Sequence, residues 1–121
     1  MNKTMTGPLS GVFPVLPTPF DAQGVPDETA LRGLARYLLR CGVDGMTYPG
    51  VASEVGNLSV GERHRLTAVV LEEVAGRKPV IAGASSSNPA TTIDLARRAV
   101  AQGASALMVA VPPDRHDAAQ Q

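Results

Sequence analysis

The sequence has little aromatic content, almost no cysteine and no net charge. Two Tyr, two Phe and no Trp make up 3% of 121 residues, so the core must be built from Val, Leu, Ile and Ala. The single cysteine, Cys41, excludes an internal disulfide framework and an all-cysteine metal site. Eleven Lys+Arg against eleven Asp+Glu leave no excess positive charge, the general footprint of a nucleic-acid or anionic-membrane binder. No apolar stretch reaches the length of a membrane span, and the lead from Met1 to Pro8 lacks the apolar segment of a secretory signal. A cytoplasmic setting is the expectation. The Gly-x-Gly-x-x-Gly motif is absent, so nothing supports a dinucleotide site.

What is present alternates between two patterns. From residue 27 to 41, apolar residues recur at Leu31, Leu34, Ala35, Leu38 and Leu39, one face of a helix capped by Asp27 and ended by Gly42. A second helix opens with the capping-box pattern Ser59-Val60-Gly61-Glu62, turns Leu66, Val69, Val70 and Val74 inward, and stops at Gly76. A third starts with Asn88 and Pro89, carries the stripe Ile93, Ala96 and Val100, and ends at Gly103. Between them lie short apolar runs at 11–17, 45–48, 79–83 and 106–111, read as parallel strands buried on both faces. Their starts are spaced as in consecutive βαβ units.

The predicted order is β-α-β-α-β-α-β, an α/β fold. The matching turns Gly42-Val43-Asp44-Gly45-Met46 and Gly103-Ala104-Ser105-Ala106-Leu107 form a faint internal repeat in keeping with it. Pro14 sits inside the first run, which is therefore expected to be an edge strand or to bend there. Barrel and open sheet both fit the pattern.

Parallel α/β folds bind ligands at the carboxyl ends of their strands. The most informative loop is Pro49-Gly50-Val51-Ala52-Ser53-Glu54-Val55-Gly56-Asn57, whose small residues let backbone approach a ligand and whose N–H groups suit a carboxylate. The plain alternative is an ordinary βα connection with Glu54 pairing locally. Ser85 to Ser87 read as caps of the third helix, Glu62-Arg63-His64-Arg65 as a solvated helix face, and Cys41 as a buried small hydrophobe. Two lone histidines, His64 and His116, predict no metal site.

Taken in order, Gly11-Val12-Phe13-Pro14, Thr18-Pro19-Phe20-Asp21, Gly24, Asp27, Gly42-Val43-Asp44-Gly45, Gly50-x-x-x-Glu54, Leu58-Ser59, Glu62-Arg63 and Pro79-Val80-Ile81-Ala82-Gly83 resemble the dihydrodipicolinate synthase / N-acetylneuraminate lyase family. The resemblance runs from about Leu9 to Pro113 and implies the first half of a (β/α)8 barrel, with the whole chain, 1–121, as one partial barrel domain. Residues 1–8 would be a flexible lead and 114–121 a polar tail. It also implies a lyase, an aldolase or dehydratase, in which a sixth-strand lysine forms a Schiff base with pyruvate or another 2-keto acid, with no cofactor. Its pattern makes Pro14 an ordinary feature of the first strand.

The family's second loop reads Gly-Thr-Thr-Gly-Glu. Here Val51 takes the proton-relay position and Ala52 the position that holds the keto-acid carboxylate. Neither has a hydroxyl, which leaves the N–H groups of Ala52 and Ser53, and Ser53 Oγ as a substitute. By resemblance Thr18, Ala52, Ser53 and Glu54 would bind substrate. After the fourth strand Pro112 is followed by Pro113 and Asp114, not by the family's two tyrosines.

A barrel of this type needs about 250 residues. The segments for the fifth-strand tyrosine and the sixth-strand lysine are not in this chain. Its two lysines are Lys3, in the lead, and Lys78, before the third run at the opposite face. The leading expectation is an amino-terminal fragment of such a lyase, inactive alone. The alternative is a non-catalytic half-barrel module that self-associates through its exposed edges. A small open-sheet, flavodoxin-like domain is a third reading.

Overall fold

The computed structural model describes residues 8–111. The predicted lead, apart from Pro8, and the segment from Pro112 to Gln121, with His116 and the polar tail, lie outside the described residues.

The helices form where their caps stand. In α1 (Glu28–Cys41), Asp27 accepts from Ala30 N at 3.0 Å, and Gly42 takes the left-handed φ of 81° that turns its N–H back to Leu39 O. In α2 (Val60–Val74), Ser59 and Glu62 satisfy each other's amides at 2.8 and 3.1 Å, the reciprocal box that its sequence predicts. In α3 (Pro89–Ala101), Asn88 Oδ1 accepts from Ala90 N and Thr91 N.

Among the described residues three strands alternate with these helices: β1 (Met46–Thr47), β2 (Val80–Gly83) and β3 (Ala106–Met108), parallel and side by side in chain order. The run at 11–17 lies on the far side of β1 and is joined to it by the bridge Val15–Thr47. Its ladder is regular except for one rung. Gly45 N donates to Val12 O, Thr47 N to Pro14 O and Leu16 N to Thr47 O. The bond between would come from the nitrogen of Pro14, which has no hydrogen. Pro14 thus shortens this strand to a bridge, as an edge position permits.

The order bears on architecture. A doubly wound open sheet reverses its strand order at a switch point, with helices on both faces. Here order never reverses, α1 packs on α2 and α2 on α3, so the helices line one face as in a barrel wall. This overturns the flavodoxin-like reading. Met46, Tyr48, Val80 and Ala82 face the helices and are buried with Leu66, Val69, Val70 and Val74. The other face carries Val15 and Met108, the latter 42% exposed.

Three readings of the helix faces are corrected. Leu95 and Ala99, not Ile93 and Val100, are the buried positions of α3; Ile93 and Val100 are 52% and 55% exposed because no helix lies beyond α3 among the described residues. Arg63 and His64 do not lie on a solvated face. Arg63 of the middle helix is buried over the end of β2, and on the side toward α3 His64 Nε2 meets Asp94 Oδ2 at 3.0 Å. Cys41 is exposed: it ends α1, nearly three turns beyond Leu31, where the buried stripe has rotated away.

Ion pairs join the helix tops. Arg65 of α2 holds Glu28 of α1 bidentately at 2.8 and 2.9 Å, and this hydrogen bonding keeps the Glu28 carboxyl below its ordinary value of 4.5. The hydrogen bond from His64 keeps Asp94 below 3.8. Both folded values are depressed, so the stabilisation is full above the unfolded values and is lost as pH falls through the folded ones. The urea midpoint is expected to stay level from pH 7 to about 5 and fall below about 4.5. Replacing Glu28→Gln and Asp94→Asn together should flatten that fall; an unchanged profile would show that these pairs contribute nothing.

Candidate functional site

The carboxyl ends of the strands are closed by the segment 49–58. After β1 the chain makes two 3-10 turns, Val51–Ser53 and Val55–Asn57, hinged on Glu54 at φ 60° and ψ 42°. Small residues are required beneath it. A Cβ on Gly83 would stand 1.9 Å from Pro49 O, so only glycine lets the end of β2 pass under the loop. Gly50 rests over the bare face of the sheet, beside Val15 and Met108.

Ser53 fixes the shape of the first turn. Its hydroxyl, fully buried, donates to Leu16 O of the first run and accepts from Gly50 N at 3.0 Å, while Ser53 N donates back to Gly50 O at 3.0 Å. Both the hydroxyl and the amide that the sequence offered to a ligand are therefore engaged inside the protein. Thr18 is placed likewise: its Oγ1 lies 2.7 Å from the Tyr48 hydroxyl in a buried pair behind the loop. Burial pushes the Tyr48 phenol up, and the Thr18 hydrogen bond opposes this in part, so the pair stays neutral at ordinary pH.

The outer rim is formed by the remaining residues. Val51 is 91% exposed and Ala52 is exposed. Their amides, at the start of the 3-10 turn, have no hydrogen-bond partner among the described residues. Glu54 also faces outward and accepts from Asn57 Nδ2 at 3.3 Å, the local pairing of the plain reading. Lys78 is exposed at the amino end of β2, across the sheet from this loop.

Two residues escaped the sequence reading. Tyr48 stands in the sequence reading only as part of the run 45–48; its place as the one aromatic at the carboxyl end of that run is the available signal. Arg63 was hidden in a charged tetrapeptide. Arg63, 8% exposed as a residue, sends its guanidinium from α2 to donate to Ser85 O at 2.8 Å and Gly83 O at 3.3 Å. Burial lowers its pKa, Nε has no partner among the described residues, and no carboxylate there pairs with it. Ser85 Oγ in turn accepts from Ala110 N, which ties the end of β3 to that of β2. Of the serines expected to cap α3, Ser86 supports the cap by accepting from Asn88 N, whereas Ser85 serves this clamp.

Strands in chain order, helices along one face and a small-residue loop over the carboxyl ends define a sector of a parallel α/β barrel. The Dihydrodipicolinate synthetase family model matches residues 8–116, and the chain belongs to that family. The 4-hydroxy-tetrahydrodipicolinate synthase of Brucella abortus is 40% identical over 104 residues, 86% of this chain and 36% of that protein. That of Thermus thermophilus is 42% identical over 102 residues, 84% of this chain and 34% of its own length. The chain thus spans about a third of the curated relatives it matches. Among solved structures, dihydrodipicolinate synthase from Rhodopseudomonas palustris superposes with a TM-score of 0.81 at 29% identity, over 85% of this chain and 34% of that one. N-acetylneuraminate lyase from Mycoplasma synoviae gives 0.81 at 28%, over 84% and 35%.

The Ser53 arrangement predicts that Ser53→Ala leaves Gly50 N and Leu16 O unpartnered. The cost should be about 1–3 kcal/mol of unfolding free energy by urea titration. A change near zero would mean that the loop holds its shape without this hydroxyl.

Proposed function

We propose that this chain is the amino-terminal part of a Schiff-base-forming lyase, an aldolase or dehydratase acting on pyruvate or another 2-keto acid. The observation that carries the reading is the rim at Gly50–Glu54. It stands over the strand ends of a family barrel and leaves the amides of Val51 and Ala52 without a partner among the described residues, at the loop where the resemblance would put the keto-acid carboxylate. Ala52 would bind that carboxylate through its N–H in place of the family's hydroxyl. Glu54 would line the rim, while Thr18 and Ser53 would act by holding the loop from behind. With Val51 at the relay position, the proton path of the synthases has no hydroxyl here, which favours a 2-keto acid reaction other than theirs. No metal or cofactor enters this reading.

The chain alone is inactive on this reading. An imine needs a desolvated amine at the strand ends, and Lys78 lies exposed at the other end of β2. A cytoplasmic setting suits an exposed thiol at Cys41. The chain incubated with pyruvate and borohydride should show no added mass in the mass spectrometer. A gain of one reduced keto acid would overturn the inactivity.

The second reading, a non-catalytic half-barrel module that self-associates, draws on the same bare features: Val15 and Met108 on the open face and Leu107 at the edge, all partly exposed. Sedimentation decides on it, since a compact monomer at all concentrations would remove it.

A further inference from the structure

The ladder between β1 and β2 stops one rung short, and a side chain takes up what it leaves. Met46 N donates to Pro79 O and Tyr48 N to Ile81 O, so the next bond in the series would run from Gly50 N to Gly83 O. In the other direction Gly83 N donates to Tyr48 O, and Ser85 N to Gly50 O would follow. Neither bond forms. Gly50 N donates to Ser53 Oγ and Ser53 N to Gly50 O, each at 3.0 Å, which is how the chain leaves the sheet for the first 3-10 turn. Gly83 O is part-buried at the end of β2 and needs a donor. Arg63 Nη2 supplies it at 3.3 Å, while Nη1 holds Ser85 O at 2.8 Å.

We infer that Arg63 is a positioning residue for the rim: by occupying Gly83 O it keeps Gly50 in the turn and so holds the amides of Val51 and Ala52 outward. The inference rests on the keto-acid reading above and adds the group that maintains its binding geometry. Two arrangements satisfy Gly83 O. In one, Gly50 N pairs with it, β1 runs on and the turn at Val51–Ser53 opens at its start. In the other the arginine donates and Gly50 is released to Ser53, as observed. The connection from Arg63 to the rim is short. The α-carbon of Gly83 lies so close under the loop that a Cβ would stand 1.9 Å from Pro49 O. Arg63 is buried with Nε unpartnered and enters no ion pair among the described residues. What offsets its desolvation is therefore the two carbonyls.

Nuclear magnetic resonance on the whole chain, with and without Arg63→Met, tests the assignment. In the variant the amide signals of Gly50, Val51 and Ala52 should move, and a scalar coupling should appear across a Gly50–Gly83 hydrogen bond. Titration with pyruvate, followed at Val51 and Ala52, should be weaker by roughly tenfold. Leu95→Ala removes buried volume from α3 but no bond made by Arg63. It should lower the melting midpoint and leave the three signals in place. Arg63→Lys keeps the charge without the fork and should displace the same signals by less. If Arg63→Met does not fold, Arg63→Lys carries the test alone, and signals matching the unaltered chain then overturn the inference. It is also overturned if Arg63→Met leaves the signals and the pyruvate affinity unchanged, or if Leu95→Ala moves the signals as far. An unaltered chain whose Val51 and Ala52 signals ignore pyruvate would sink the keto-acid reading of the rim. The ligand-free signals would still decide on Arg63.

Discussion

Parallel strands make good structure only when both faces are covered and both edges are paired, since every residue of such a strand is apolar and every other amide points sideways. In this protein one face meets that condition. Met46, Tyr48, Val80 and Ala82 lie under α1–α3, and the packing is continuous from Leu31 to Val74. The opposite face keeps Val15 and Met108 partly in water, and the edges end at Pro14 on one side and Leu107 on the other. The two edges are not equivalent. Pro14 has lost a donor toward β1, so its strand is held weakly from within, whereas β3 is fully bonded to β2 and presents intact outward groups.

The same asymmetry governs the loop over the strand ends. Its shape is set from below by neutral hydrogen bonds: Ser53 to Leu16 and Gly50, and Thr18 to Tyr48. Buried hydroxyls used in this way are costly to leave unpaired, so they serve as fixed points and not as ligand contacts. What faces outward is backbone, the side chains of Val51 and Ala52, and Glu54. A carboxylate held by such a rim would be held by amides, and amide recognition does not depend on which small residue supplies them. The loop can therefore keep its place while the residues at Val51 and Ala52 change.

Much of this architecture was legible in the sequence because it rests on local rules. The caps at Asp27, Ser59 and Asn88, the turn at Gly42 and the alternation of elements follow from a few adjacent residues. The strands came out shorter than the apolar runs, because a run records burial whereas a strand also needs a neighbour to bond. Tertiary position was not legible. Periodicity cannot tell whether a stripe such as Ile93 and Val100 meets a neighbour, nor that the middle helix of three buries Arg63 over the end of β2 and half-buries His64 against α3. The loop over the strand ends was legible in place but not in orientation. The segment 49–57 lies at the strand ends, yet Thr18 and Ser53 turn inward where a list of hydroxyls would have turned them out.

That division explains what the family resemblance carries. The residues that make it are, one after another, the ones with backbone duties. Gly42 ends α1 at positive φ, Gly83 passes under Pro49 O, Ser59 and Glu62 cap α2, and Arg63 clamps the carbonyls of Gly83 and Ser85. Arg63 shows the force of such a duty: a buried cation with no carboxylate partner among the described residues is tolerable only if the carbonyls it ties are worth the desolvation. The departures from the family pattern, Val51 and Ala52, stand in solvent and touch nothing that the fold requires. Substitution at them leaves the barrel sector unaltered and acts only on whatever binds above it. A match of this kind therefore fixes the architecture firmly while leaving whatever meets this loop to positions that the fold does not constrain.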